Sequence, residues 1–422
     1  MRSGGRERKV DVVRKHRPDY QIILYMGILM LIGLIVIYAI GPQRANVLNN
    51  AIGSDYSDSY FFIKQTISLL LALVAFGVMA SLPYNFIMKH GTKVLVIGLA
   101  ACLFLALASA ASLPIANEIN GATRWFTLGP LGTLQPAEIL KFGLLLYLAV
   151  FLAKRAAEKK INDPKETLLP VAVISAVVLG IIVVVQKDLG TGISVTAIIF
   201  TMLFMAGLSK KIIIGVAAIL LLVGSIFIIS APHRRDRIFT FLQGDNTSTE
   251  DAGAYHIQHA KIAIGSGGLM GVGIGNSVQA TGYLPEANTD SVFAIMGETF
   301  GFVGLLVLMA VYVALLMRLL KVLDHLVEMR LKLLVAGVFG WFGAHVILNI
   351  AAMIGIFPLT GITLPLLSFG GTSMIFITAA LGLIFQLSRY TIHGSRLKEI
   401  TNENSSSGRR VGRTRYASRS GS

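Results

Sequence analysis

Ten long apolar stretches, parted by polar connections, constrain this chain more than any other feature. They fall at 21–41, 60–82, 92–112, 138–153, 167–185, 189–206, 212–231, 292–320, 331–356 and 373–388. Each is roughly 16 to 29 residues long, and a helix of about 20 residues crosses the roughly 30 Å apolar layer of a bilayer. Backbone groups in lipid must find partners within their own helix, so the fold class is an all-α polytopic integral membrane protein. The expectation is about ten transmembrane helices, with a long extracytoplasmic loop, 232–291, between the seventh and eighth. With 54% hydrophobic and only 14% charged residues, the chain is not an ordinary soluble domain. The basic start runs straight into the first span, so no cleavable signal peptide is expected. One cysteine, Cys102, allows no intramolecular disulfide.

Lysine and arginine gather in a tail at 1–20, in 154–166, at Lys210 and Lys211, in 318–332 and in a second tail at 391–422. Ten spans put all of these on one side, and the positive-inside rule makes that side, with both termini, cytoplasmic. Topology thus accounts for the net charge of +15 without nucleic acid. The 391–422 tail is basic and poor in apolar residues, the composition of a disordered segment able to touch anionic lipid. Residues 21–390 form the membrane domain between the two tails.

Three connections on the opposite side, 42–59, 113–137 and 232–291, are too long for plain turns. The last ends Y-L-P-E-A-N-T-D, placing Glu286, Thr289 and Asp290 at the mouth of an apolar segment. A carboxylate there is a functional candidate, and a helix N-cap is the alternative. In G-A-T-R-W-F, Arg124 and Trp125 suit either a sugar or phosphate grip or an interfacial anchor. Glu138 and Lys141 share a helix face, and either pair together or leave Lys141 to hold a carboxylate such as Asp290. Arg234, Arg235 and Arg237 lie where basic residues are sparse, which suits an anionic headgroup or pyrophosphate.

The stretch Y-H-I-Q-H-A-K adds Gln258 and Lys261 as candidate substrate contacts. His256 and His259 in the same stretch lack the further ligands of a zinc site. The glycines that follow, from 265 to 275, read as a re-entrant turn whose amides are candidates to face phosphate. Two prolines and three glycines break the helix across 357–372, and its hydroxyls, Thr360 and Ser368 among them, read as another wall of one cavity. Glu298 and His345, within spans, suit proton relay or helix–helix hydrogen bonds. No G-x-x-x-x-G-K-[ST] loop is present, so the substrate must arrive already activated. A lipid-linked sugar pyrophosphate meets that requirement.

The segments G-A-T-R-W-F, Q-P-A-E-I-L-K, Q-K-D-L-G-T, A-I-G-S-G-G-L-M-G-V-G-I-G-N-S, Y-L-P-E-A-N-T-D, G-E-T-F-G-F-V-G and P-L-T-G-I-T-L-P-L-L-S-F-G-G-T-S occur in this order. Together, over roughly 20–390, they resemble the SEDS family of shape, elongation, division and sporulation proteins (FtsW, RodA, SpoVE), the FtsW division branch most. The resemblance implies a peptidoglycan glycosyltransferase polymerising lipid II at the outer face of the bacterial cytoplasmic membrane. It also implies a class B penicillin-binding protein as transpeptidase partner, beside other divisome membrane proteins. The family's catalytic aspartate falls on Asp290, within T-D-S-V-F-A. Ser291, Thr299 and Lys187 depart from the family pattern.

The mechanism this suggests uses a single base. An acceptor 4-hydroxyl attacks C1 of the donor muramyl sugar with inversion, Asp290 takes the proton, and polyprenyl pyrophosphate leaves without an acid. Arg124, Lys141, Arg234, Arg237 or a divalent cation, Mg or Mn, are the candidates to steady the leaving group. A lipid II flippase and a non-catalytic divisome scaffold are the rival readings. Transport would set essential polar groups at the midplane, whereas catalysis sets them at one face.

Overall fold

The computed structural model describes residues 16–116, 118, 122–127, 129, 132–218 and 252–391. Helix α1 spans Tyr20–Ile52, starting where the Asp19 carboxylate accepts the Gln21 amide at 3.1 Å. It runs through Pro42 and ends at Gly53 in the left-handed region, φ 64°. Most of the expected 42–59 connection is therefore helix, which corrects the first boundary. Hydropathy marks where a helix leaves the apolar layer, not where its hydrogen bonding stops.

Helices α2 (Tyr60–Ser81), α3 (Tyr84–Lys89) and α4 (Gly91–Ala110) follow. A two-residue antiparallel ladder, β1 (Phe126–Thr127) on β2 (Thr133–Leu134), then leads into α5 (Pro136–Ala157). Helix α6 (Leu169–Leu179) is flanked by π-helical turns at Pro164–Leu168 and Gly180–Val185, and α7 is Leu189–Met205. The last four are α8 (Ala252–Ser266), α9 (Val292–His325), α10 (Met329–Met353) and α11 (Gly371–Leu387).

Among the described residues, eight helical segments are long and apolar enough to cross a membrane. Helix α7 is apolar but shorter, and the expected span at 212–231 is helical to 218, where the described residues stop. The polytopic helical fold is as expected.

Burial separates centre from rim. In α5, α10 and α11 about three-quarters of the most apolar stretch is buried in protein, against 22% in α2 and in the α6 segment. The three buried helices form the middle, with α4 on α5, α7 on α10 and α2 on α11. Rim side chains such as Leu70 and Val74 of α2 point outward, as a lipid-facing surface requires. Lipid tails are as apolar as these side chains, so packing and buried polar bonds hold the helices together. At one end, Asp19 pairs with Arg318 of α9 and its amide donates to the Ser388 hydroxyl at 2.9 Å. The polar connections described next meet at the opposite end.

Candidate active site

The entrance to α9 is a tight turn built on Glu286, whose backbone is left-handed at φ 49°. Its carbonyl accepts the amides of Thr289 (3.0 Å) and Ser291 (3.1 Å), and its carboxylate accepts the Thr289 hydroxyl at 2.8 Å. Glu286 and Thr289 thus engage each other on an exposed turn. The N-cap residue of α9 is Ser291, so Asp290 stands one residue outside the cap. The Ser291 hydroxyl donates to the Pro285 carbonyl at 2.8 Å and meets His256 Nε2 at 2.6 Å. The serine that departs from the family pattern therefore ties the turn to α8.

The 357–370 segment lies against this turn, as a second wall should. Asn349 of α10 gives one amide hydrogen to the Asp290 carbonyl and the other to the Ile362 carbonyl, both at 2.7 Å. Half-buried Asp290 turns its carboxylate toward Gly361, where an added methyl carbon would stand 3.6 Å from Oδ2. The Phe369 amide donates to the Asn288 carbonyl at 2.8 Å. Two braces hold the wall from behind. Tyr312 donates to the Pro365 carbonyl at 2.7 Å, and the Ser368 hydroxyl accepts the Leu364 amide at 2.8 Å. His345 Nδ1 lies 3.4 Å from the Thr363 carbonyl, a long contact with the same wall. The Thr360 carbonyl abuts the start of α7, where a methyl on Gly190 would come within 2.7 Å.

Arg124 reaches the neighbouring 186–188 hairpin, donating to the carbonyls of Lys187 (2.8 Å) and Gln186 (3.4 Å). Its guanidinium sits 5.9 Å from the half-buried Trp125 ring. Lys187 adopts φ 53° to make that turn. Asp188 caps α7 by accepting the Thr191 amide at 2.9 Å, and also accepts the Gln135 side-chain amide at 3.1 Å.

Two alternatives left open by the sequence resolve here. Lys141 pairs with Glu138 at 2.8 Å, both essentially buried at 0% and 2% exposure, with its ammonium 4.7 Å from the Trp341 ring centroid. Lys141 is thus paired with Glu138 and not with Asp290. Glu298 bonds to the connection before α9 and not to a neighbouring membrane helix. Its carboxylate accepts the Ser277 hydroxyl and the amides of Val278 (2.9 Å) and Gln279 (3.2 Å), anchoring the glycine-rich connection.

The glycine run itself corrects an expectation. The Val272 and Gly273 amides donate to the Glu298 and Thr299 carbonyls at 2.9 and 3.1 Å, so they are not aimed at phosphate. In return Phe302 and Val303 donate to the carbonyls of Gly268 and Leu269. This splice needs α9 to open at Gly301 (φ 66°, ψ −168°), and needs bare backbone at Gly271, where a methyl carbon would lie 2.2 Å from the Thr299 carbonyl.

Gln258 and Lys261 are exposed on α8, and the Lys261 stem packs beside Gly355 at the end of α10. Arg234 and Arg237 lie outside the described residues. Among the described residues no group of three or more His, Cys, Asp or Glu side chains is placed to hold a metal ion. Sequence reasoning missed Asn349, whose one signal is an amide within the apolar run V-I-L-N-I-A-A.

Among the described residues, buried central helices with broken backbone and polar side chains gathered around Asp290 at one end define a multi-pass membrane protein with a polar workplace. Residues 20–393 match the family model described as cell cycle protein, that of FtsW, RodA and SpoVE, and the chain belongs to this family. It is 32% identical to the probable peptidoglycan glycosyltransferase FtsW of Aeromonas salmonicida, covering 91% of this chain and 94% of that one. To the protein of the same description from Nitrosomonas europaea it is 29% identical, covering 88% and 93%. Among solved structures it resembles a chain from a peptidoglycan synthase complex coordinating polymerization and crosslinking (TM-score 0.68, 27% identity, 88% and 98% covered). It also resembles the rod shape determining protein RodA of Thermus thermophilus (TM-score 0.62, 26% identity, 89% and 98% covered).

Proposed function

We propose that this protein polymerises lipid II into glycan strands, using Asp290 as the base that takes the acceptor 4-hydroxyl proton. The observation that carries the reading is the Asp290 turn, held by Asn349 against 361–362 with its carboxylate facing the only residue type that adds no side chain there. A base on so fixed a support meets the geometric demand of proton transfer. Attack on C1 expels polyprenyl pyrophosphate, which needs no protonation, and inverts the anomeric centre.

Arg124, at the hairpin edge, and Arg234 and Arg237 are the cations assigned to the pyrophosphate. Lys141, committed to Glu138, supports the core instead. The described donor set suits proton transfer better than a protein-built cage, so a Mg or Mn ion fits only as a companion of the substrate pyrophosphate. The site belongs to the extracytoplasmic face, with both termini cytoplasmic. The relatives' description and the synthase-complex likeness support a transpeptidase of the class B penicillin-binding type as partner, with a place among divisome membrane proteins.

The test compares wild type with Asp290→Asn, each purified with its transpeptidase and incubated with lipid II while crosslinking is blocked. Wild type should build long glycan and the variant none. Equal glycan from both would remove Asp290 as the base. Absence of product from wild type, with a control polymerase active on the same substrate, would turn the reading toward lipid transport.

A further inference from the structure

We infer that Asn349 is a positioning residue for the glycosyl transfer, acting through the Asp290 peptide and not on the substrate. The inference rests on the reading of Asp290 as the base. Asn349 lies on α10, one of the three buried central helices, and is 2% exposed. Its side-chain nitrogen donates to two carbonyls from different walls, Asp290 and Ile362, each at 2.7 Å. Both amide hydrogens are thereby used, which fixes the flip of the group. Its oxygen, Oδ1, is buried without a hydrogen-bond partner. A buried orphan acceptor is unfavourable, so the amide is held in this sense by what its two hydrogens accomplish.

What they accomplish is a cross-tie. The Asp290 turn arrives from the extended loop before α9, and 361–362 arrives from the break between α10 and α11. Neither belongs to regular secondary structure at the point of contact. Asn349 pins both to a rigid helix, which sets the depth of the Asp290 carboxylate beside Gly361. Displacements of about 1 Å cost catalytic steps up to about 100-fold, while substrate held mainly by other residues binds as before.

The test measures kcat and KM for lipid II polymerisation, in complex with the transpeptidase, for wild type, Asn349→Leu, Asn349→Asp and Asp290→Asn. Leucine keeps the shape of the amide and removes both donors together with the orphaned oxygen. Aspartate keeps the size and, when ionised, cannot donate. The expected result is a fall in kcat of about 10- to 100-fold in both Asn349 variants, with KM within about twofold and a monodisperse, wild-type-like elution in detergent. Wild-type kcat in either folded variant would overturn the proposal, as would a loss expressed in KM alone. If Asp290→Asn is inactive while the Asn349 variants are normal, only the positioning role fails. If Asp290→Asn is fully active, the base assignment fails first and takes the positioning role with it.

Discussion

Replacing Lys141 by methionine isolates the energetics of the bundle centre. Lys141 and Glu138 are joined by one 2.8 Å bond at 0% and 2% exposure, and the second glutamate oxygen, Oε2, has no hydrogen-bond partner. The ammonium is therefore nearly the whole electrostatic support of the carboxylate. Methionine matches the lysine stem and keeps a favourable contact with Trp341, so little packing is lost. Breaking a buried pair by removing one member costs about 3–5 kcal/mol, because the other charge is left without compensation. That corresponds to about two to four decades in the unfolding equilibrium.

Removing both charges with Glu138→Gln and Lys141→Met should restore most of the loss, leaving a deficit of about 1–2 kcal/mol, the order of a desolvated cation–π contact. The assay is SDS titration of the purified protein in mixed micelles, with tryptophan fluorescence reporting unfolding of the bundle around Trp341. Lys141→Met costing under about 1 kcal/mol would refute the reasoning. A double variant no more stable than the single one would refute it equally.

Two further outcomes follow from the connections. Glu298→Gln turns an amide toward three donors that now share a carboxylate, at a cost of about 1–3 kcal/mol. Hydrogen exchange should quicken across 276–282 and stay unchanged across 155–166. The Asp163 carboxyl is held below the usual carboxylate range, first by the Glu166 amide and also by that of Lys165. Its lowered folded value places its contribution to stability above the usual carboxylate range, and that contribution is lost as pH falls through the lowered value. Exchange across 163–168 should therefore rise in acid in wild type, relative to Asp163→Asn at the same pH. Equal acid response in both would sink this assignment.

The spans were legible because twenty apolar residues in a row leave few options, and α2, α4 and α9 begin within a residue or so of their expected starts. Where α1 ends was not. Residues 43–50, Q-R-A-N-V-L-N-N, continue as helix beyond the apolar layer, and nothing in hydropathy forbids or requires that. Asp290 stood out as a carboxylate in an apolar setting, and the 357–372 wall stood out through its prolines and glycines. Their contact did not, because it depends on an asparagine fifty-nine positions from one and thirteen from the other. The glycine run announced close backbone approach without naming its partner. That partner, 298–303, reads in sequence as uninterrupted helix apart from Gly301.

The opening of α9 at Gly301 also separates two phases of one rod. A continuous helix carries twist along its length, so one residue added anywhere rotates everything beyond it by about 100°. Here 298–303 are bonded sideways to 268–273, and the stretch above the break takes its angular setting from that neighbour. An insertion below Val303 would turn the residues down to His325 and leave the orientation of Asp290 where it is. The lower half keeps a tie of its own to the site through Tyr312, whose bond to the Pro365 carbonyl such an insertion would break, while the upper half keeps time with the site through the glycine run.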